Sequence, residues 1–177
     1  MTLEPMTILM AEDDPDDRAL ARDALHECGP AFELRTVCDG EELLEYLRHE
    51  GRYASPAEAP YPTVVLLDMN MPRMDGREVL AEMKADEALR RIPIVVLSTS
   101  QATEDVIRSY DLGASGYIGK PNTFVGLVNV FYALEQWLAV VTQAPPWLTN
   151  MRSVTDGLAP SSEFARLPRG PLAGAQK

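Results

Sequence analysis

The sequence predicts a doubly wound α/β domain, an all-parallel five-stranded sheet covered on both faces by helices. Strand-like and helix-like segments alternate five times along the chain, which implies right-handed crossovers between parallel strands. The strand-like segments are short continuous apolar runs, such as Thr63-Val64-Val65-Leu66-Leu67 and Ile94-Val95-Val96-Leu97, too short to be helices. Four of these runs end on polar, chemistry-bearing residues: Glu12-Asp13, Asp68, Ser98 and Lys120. In an open parallel sheet the carboxyl ends of strands converge on one crevice where ligands bind. Five strands are too few for an eight-stranded barrel.

Each element has a local reason. Residues 7–11 form the first strand. Asp14-Pro15-Asp16-Asp17 then starts a helix: Asp14 can cap, Pro15 suits the first helical position, and the acids favour the positive helix end. Leu20, Ala21, Ala24 and Leu25 are its expected buried stripe, and Gly29-Pro30 ends it. Phe32–Val37 alternates like a strand. Asp39–Arg48 is a second helix with Leu43, Leu44 and Leu47 inward. Gly51, Pro56, Pro60 and Pro62 make residues 49–62 a turn-rich connection without regular structure.

Thr63–Asp68 is the third strand and about Arg77–Asp86 the third helix. In Asp75-Gly76 the aspartate caps that helix and the glycine permits a tight turn. Ile94–Ser98 is the fourth strand. Thr103, followed by Glu104 and Asp105, opens helix four, Gly113 closes it, and Tyr117–Gly119 is the fifth strand. The last helix runs from about Thr123 to Val141, with Leu127, Phe131, Leu134 and Leu138 on one face. Pro145-Pro146 stops it. Residues 143–177, rich in Pro and Gly with few large apolar side chains, read as a tail disordered in the isolated monomer.

The 177 residues carry 16 Lys or Arg against 27 Asp or Glu, a formal charge of −11. That excludes non-specific nucleic-acid binding, which runs on cationic side chains neutralising phosphates. Residues 146–177 reverse the bias, with four Lys or Arg against two Asp or Glu. Cys28 and Cys38 form no CxxC and read as reduced packing thiols. Without a secretory pattern or an apolar stretch near 20 residues, the expected location is the cytoplasm, away from membranes.

Glu12-Asp13, Asp68 followed by Met-Asn-Met-Pro-Arg-Met-Asp-Gly, Ser98 and Lys120-Pro121 resemble the receiver domain of two-component response regulators, over residues 6–142. The resemblance implies the flavodoxin-like strand order 2-1-3-4-5 and phosphotransfer from a histidine kinase to Asp68. It also implies Mg²⁺, held by Asp13 and Asp68 directly, by Glu12 directly or through water, and by the main-chain carbonyl of Asn70. Glu12 stands where many receivers have Asp; the extra methylene keeps the charge. Lys120 would contact a phosphoryl oxygen, or pair with Asp68 when none is present. Ser98 would give its hydroxyl to the phosphoryl group. Lys120–Pro121 would be a cis bond, Tyr117 the switch aromatic, and Ser100 and Asn70 would flank the attacking water. The Met69, Met71 and Met74 cluster reads as packing around the site loop. His26 and His49 match no metal spacing.

Further features resemble the single-domain regulators paired with bacterial phytochrome kinases: the 49–62 connection, Asp75-Gly76-Arg77-Glu78-Val79-Leu80, Leu97-Ser98-Thr99-Ser100 and Ser109-Tyr110. The implied partners are a sensor histidine kinase of phytochrome type, a downstream protein and a second copy of the chain. Contact would run through helix four, strand five and helix five, and Trp147 and Leu148 are candidates for reaching across a dimer. No substrate turnover is implied beyond slow loss of the protein's own phosphoryl group.

Taken singly, each residue has a plainer reading. The 12–17 acids can be a helix cap with a solvated face, Ser98 a strand-end hydroxyl satisfied by backbone, Lys120 a surface charge and Tyr117 a half-buried packing aromatic. Two rival classes remain at the level of sequence. An aspartate-dependent phosphohydrolase would have a second aspartate where Asn70 stands, and an enclosing cap domain. A phosphate-independent dimeric adaptor would not need intact Asp68, Asp13 and Lys120.

Overall fold

The computed structural model describes residues 5–141. The chain divides into two compact units, residues 1–136 and 137–177; within the described residues the second contributes only the end of the last helix. Strand and helix alternate along the described residues: β1 (Met6–Ala11), α1 (Pro15–Glu27), β2 (Phe32–Val37), α2 (Gly40–Arg48), β3 (Val64–Asp68), α3 (Gly76–Ala85), β4 (Ile94–Ser98), α4 (Thr103–Asp111), β5 (Gly116–Gly119) and α5 (Phe124–Val141). All strand pairs are parallel, in the order β2-β1-β3-β4-β5. This is the fold the sequence implies.

Period-two alternation sorts each strand between two helical layers. Leu9, Ala11, Val65, Leu67, Ile94 and Val96 share one core with Leu43, Leu44 and Leu47 of α2 and Val79, Leu80 and Met83 of α3. Ile8, Met10, Val64, Leu66, Val95 and Leu97 point the opposite way and are equally buried. α1 and α5 lie side by side: the Cys28 thiol reaches the Val128 carbonyl at 3.8 Å, and the Tyr132 hydroxyl the Glu27 carbonyl at 3.5 Å. With both faces covered, every residue of β3 and β4 is buried. These two interior strands carry Asp68 and Ser98 at their ends.

Most helix starts follow their caps. The Asp14 carboxylate accepts from the Asp16 and Asp17 amides, and Asp39 accepts from the Glu42 amide. Asp75 and Glu78 form a reciprocal capping box on α3: Asp75 accepts from the Arg77 and Glu78 amides, and Glu78 accepts from the Asp75 amide. Asp75→Ala should therefore lower stability by about 1 kcal/mol, read as a urea-midpoint shift with an unchanged slope.

Two local expectations fail. Leu20 is exposed (36%) while Ala21, Ala24 and Leu25 are buried. One residue turns a helix by about 100°, and the true stripe is narrower than four positions. Thr103 opens α4 as the sequence predicts, one residue after the cap position. Ala102 holds that position with no side-chain bond, and the Ser100 hydroxyl serves the Ala102 amide at 3.3 Å instead. The 49–62 connection contains a 3₁₀ turn, Gly51–Tyr53, pinned by the Tyr53 hydroxyl donating to Glu42 at 2.6 Å. The expected 143–177 tail, with Trp147 and Leu148, lies outside the described residues. Among the described residues no helix is long and apolar enough to cross a membrane.

Candidate phosphoacceptor site

The strand order places the ends of β1, β3, β4 and β5 next to one another, so their terminal side chains meet. Asp68 is 7% exposed at the last position of β3. Glu12, 1% exposed, and solvent-facing Asp13 follow β1. One carboxylate oxygen from each of these three lies within 4.8 Å of the others. The Asn70 amide donates to Asp68 Oδ1 at 3.2 Å, which fixes the carboxylate while leaving Asn70 itself exposed.

Lys120 follows β5 and reaches into the cluster. Its ammonium lies 2.7 Å from Glu12 Oε2, 2.6 Å from Asp17 Oδ2 and 3.7 Å from Asp68 Oδ2. The expected Lys120–Asp68 ion pair is present, but as the longest of three: Glu12 and Asp17 take the closer bonds. The Lys120–Pro121 bond is trans, not cis, as the general preference of X-Pro bonds favours. Ser98 is 2% exposed, and its Oγ accepts from the Ser100 amide at 3.2 Å. The half-buried Tyr117 donates its hydroxyl to the Ser100 carbonyl at 2.7 Å, tying β5 to the loop after Ser98.

Electrostatics follow from burial. Burial pushes the Asp68 pKa up, against the opposing pull of the Asn70 amide and Lys120. Burial does the same to Glu12, helped by the nearby Asp68 charge and opposed by its bond from Lys120. Burial disfavours the Lys120 ammonium, but its bonds to Asp17 and Glu12 outweigh this and hold its pKa above the ordinary lysine range. Three carboxylates thus surround one ammonium, two of them destabilised as anions by burial, with Asp13 beside those two. An all-oxygen donor set with surplus negative charge suits a hard divalent cation, so the residues present fit one.

Three partners were missed from sequence. Asp17, read as a helix-end charge, contacts Lys120. Arg73, in the loop after Asp68, adopts a left-handed φ of 65° and pairs with Asp39, whose side chain is fully buried. Asp105 on α4 receives the Ser100 hydroxyl at 2.6 Å and Arg77 of α3 at 3.3 Å, so its pKa is lowered, first by Ser100. Asp17 and Arg73 join residues far apart in sequence, which spacing does not signal, whereas Asp105 ties α3 to the short Ser100 turn just before its own helix. A second ligand-like group, Cys38, Asp39 and Glu42, is already satisfied: Arg73 pairs with Asp39, and Arg52 and Tyr53 engage Glu42.

A parallel (βα)₅ domain with an aspartate on the central strand, flanked by acids, a hydroxyl and a lysine, defines a class. Residues 8–131 match the response regulator receiver domain, and the chain belongs to that family. Within it, the chain is 39% identical over 139 residues to response regulator Rcp1 of Synechocystis sp., covering 78% of this chain and 92% of that protein. The phosphorylated cyanobacterial phytochrome response regulator RcpA superposes with a TM-score of 0.71 at 41% identity, covering 80% of this chain and 99% of that one. The Mn²⁺-bound form of Rcp1 superposes at 0.66 with 38% identity, covering 76% and 95%. The chain is thus closely related to phytochrome response regulators.

Proposed function

We propose that Asp68 accepts a phosphoryl group from a sensor histidine kinase of phytochrome type, in the cytoplasm, and that the protein signals through protein contacts without turning over a substrate. The observation that supports this most is the Asp68 carboxylate, buried at a strand end with Glu12 and Asp13 beside it and the Lys120 ammonium within 3.7 Å.

In the transfer, the P–N bond of a phosphohistidine breaks as a bond forms between phosphorus and an Asp68 oxygen. The imidazole leaves with the electron pair. The anionic nucleophile and the anionic donor repel, so the site must lower that repulsion while holding the pair in line. Lys120 supplies one fixed positive charge, and the Ser98 hydroxyl can donate to a phosphoryl oxygen. Glu12, Asp13, Asp68 and the Asn70 carbonyl would hold Mg²⁺. When bound, that ion offsets carboxylate charge and withdraws charge from the phosphoryl oxygens. Asn70 has no carboxylate with which to serve as general acid or base, which separates this site from an aspartate-dependent phosphohydrolase.

Two states would differ in the loop holding Ser98 and Ser100, to which Tyr117 is bonded. The neighbouring surface carries exposed Ile107 and Tyr110 on α4 and Phe124 and Val125 on α5, apolar side chains suited to a partner or a second copy. Incubation with Mg²⁺ and acetyl phosphate should give one phosphoryl increment by intact mass, lost with EDTA. Mg²⁺ binding without an increment would overturn the reading.

A further inference from the structure

Asp17 is the one carboxylate around Lys120 that has no place in the proposed metal set. It lies in the first turn of α1, where the Asp14 cap fixes its main chain. Its Oδ2 accepts from Lys120 at 2.6 Å, against 2.7 Å for Glu12 and 3.7 Å for Asp68. Among the described residues Lys120 is the only ion-pair partner of Asp17.

We propose that Asp17 is a positioning residue that restrains Lys120, holding the ammonium on the α1 side of the site and back from the phosphoacceptor. The proposal rests on Asp68 being that acceptor. An ammonium has three protons to donate. Two are directed to Glu12 and Asp17, and the remaining carboxylate within range is Asp68 at the longer distance. For Lys120 to donate to a phosphoryl oxygen at Asp68, one close bond must be given up. Glu12 is also a candidate metal ligand; Asp17 has no second role, so its bond is the one that opposes the movement. Once the phosphoryl group is in place, its oxygens carry more charge than Asp17 and keep the ammonium. The restraint therefore acts on formation of the acyl phosphate and not on its loss.

Asp17→Asn in the full chain tests this with acetyl phosphate at saturating Mg²⁺. The rate constant for phosphorylation should rise by about two- to fivefold, the range expected when one partly exposed ion pair no longer competes. The rate of phosphoryl loss should stay within about twofold. Asp16→Asn removes the same charge from the same turn without touching Lys120 and should leave both rates unchanged. An unaccelerated or slowed Asp17→Asn, or an equal acceleration in Asp16→Asn, would overturn the restraint while leaving the phosphoacceptor standing. A wild type that binds Mg²⁺ and takes no phosphoryl group would bring down both.

Discussion

Asp68→Asn should abolish the phosphoryl increment completely and yet, in the absence of metal, make the domain more stable by about 1 kcal/mol at neutral pH. The two effects have one cause. Asp68 is 7% exposed, and burial raises its pKa. It sits beside Glu12, which is raised by burial and by the Asp68 charge itself. Asparagine keeps the shape and can still accept from the Asn70 amide, but removes one of two crowded anions. It loses a nucleophile and a charge partner for Lys120 that is already 3.7 Å away.

The pH dependence has a definite sign. A carboxyl group whose folded pKa is raised destabilises the fold in its ionised form. That cost is fully present above the raised pKa and disappears as pH falls through it toward the ordinary aspartate value. The advantage of Asp68→Asn in EDTA should therefore be largest at neutral pH and shrink on acidification. Mg²⁺ should reverse the order, because a ligand that binds only the native wild type stabilises it by about 2.7 kcal/mol at a hundredfold excess over Kd. Urea denaturation with EDTA and with Mg²⁺, at pH 7 and pH 5, reads all of this. A less stable Asp68→Asn in EDTA would show that Lys120 compensates the buried charge after all.

Residues at strand ends were legible because topology alone decides where they go. Once five βα units are recognised, a parallel sheet has only one edge where Glu12, Asp68, Ser98 and Lys120 can meet. Asp17, Arg73 and Asp105 were not legible for the opposite reason. Each acts by side-chain reach from a helix turn or loop; for Asp17, Arg73 and the Arg77 contact of Asp105 that reach depends on packing between elements far apart in sequence. Arg73 illustrates it: the position looks like an unremarkable loop cation, but its left-handed backbone aims the guanidinium at the buried carboxylate capping α2. The same limit explains Lys120, whose place at the site is set by β5 but whose choice of Asp17 over Asp68 is set by α1.

Gly76 shows how far a correct motif can mislead about its cause, and its substitution should have a large effect on stability. The sequence suggests a glycine needed for an unusual turn, but its φ is not positive. What it provides is space. A Cβ at Gly76 would lie 2.7 Å from the Asp68 carbonyl oxygen and 2.8 Å from both the Cα and the sulfur of Met69. Met69 is 4% exposed, and the Gly76 amide already donates to its carbonyl at 3.1 Å. The thioether can adjust; the main chain at the end of β3 cannot without moving Asp68. Gly76→Ala should therefore destabilise the domain by about 2–3 kcal/mol, the cost of overpacking a closed site, despite alanine's better helix propensity. That corresponds to a urea midpoint lower by about 1–2 M at unchanged slope. Phosphorylation of the remaining folded protein should slow as well, since in-line attack tolerates little displacement of the nucleophile. Gly116→Ala is the control: its Cβ would meet Val95 at 3.5 Å, ordinary contact distance, and should shift stability by less than about 0.5 kcal/mol. If both variants unfolded alike, the close approach of α3 to Asp68 would not be what requires a glycine at position 76.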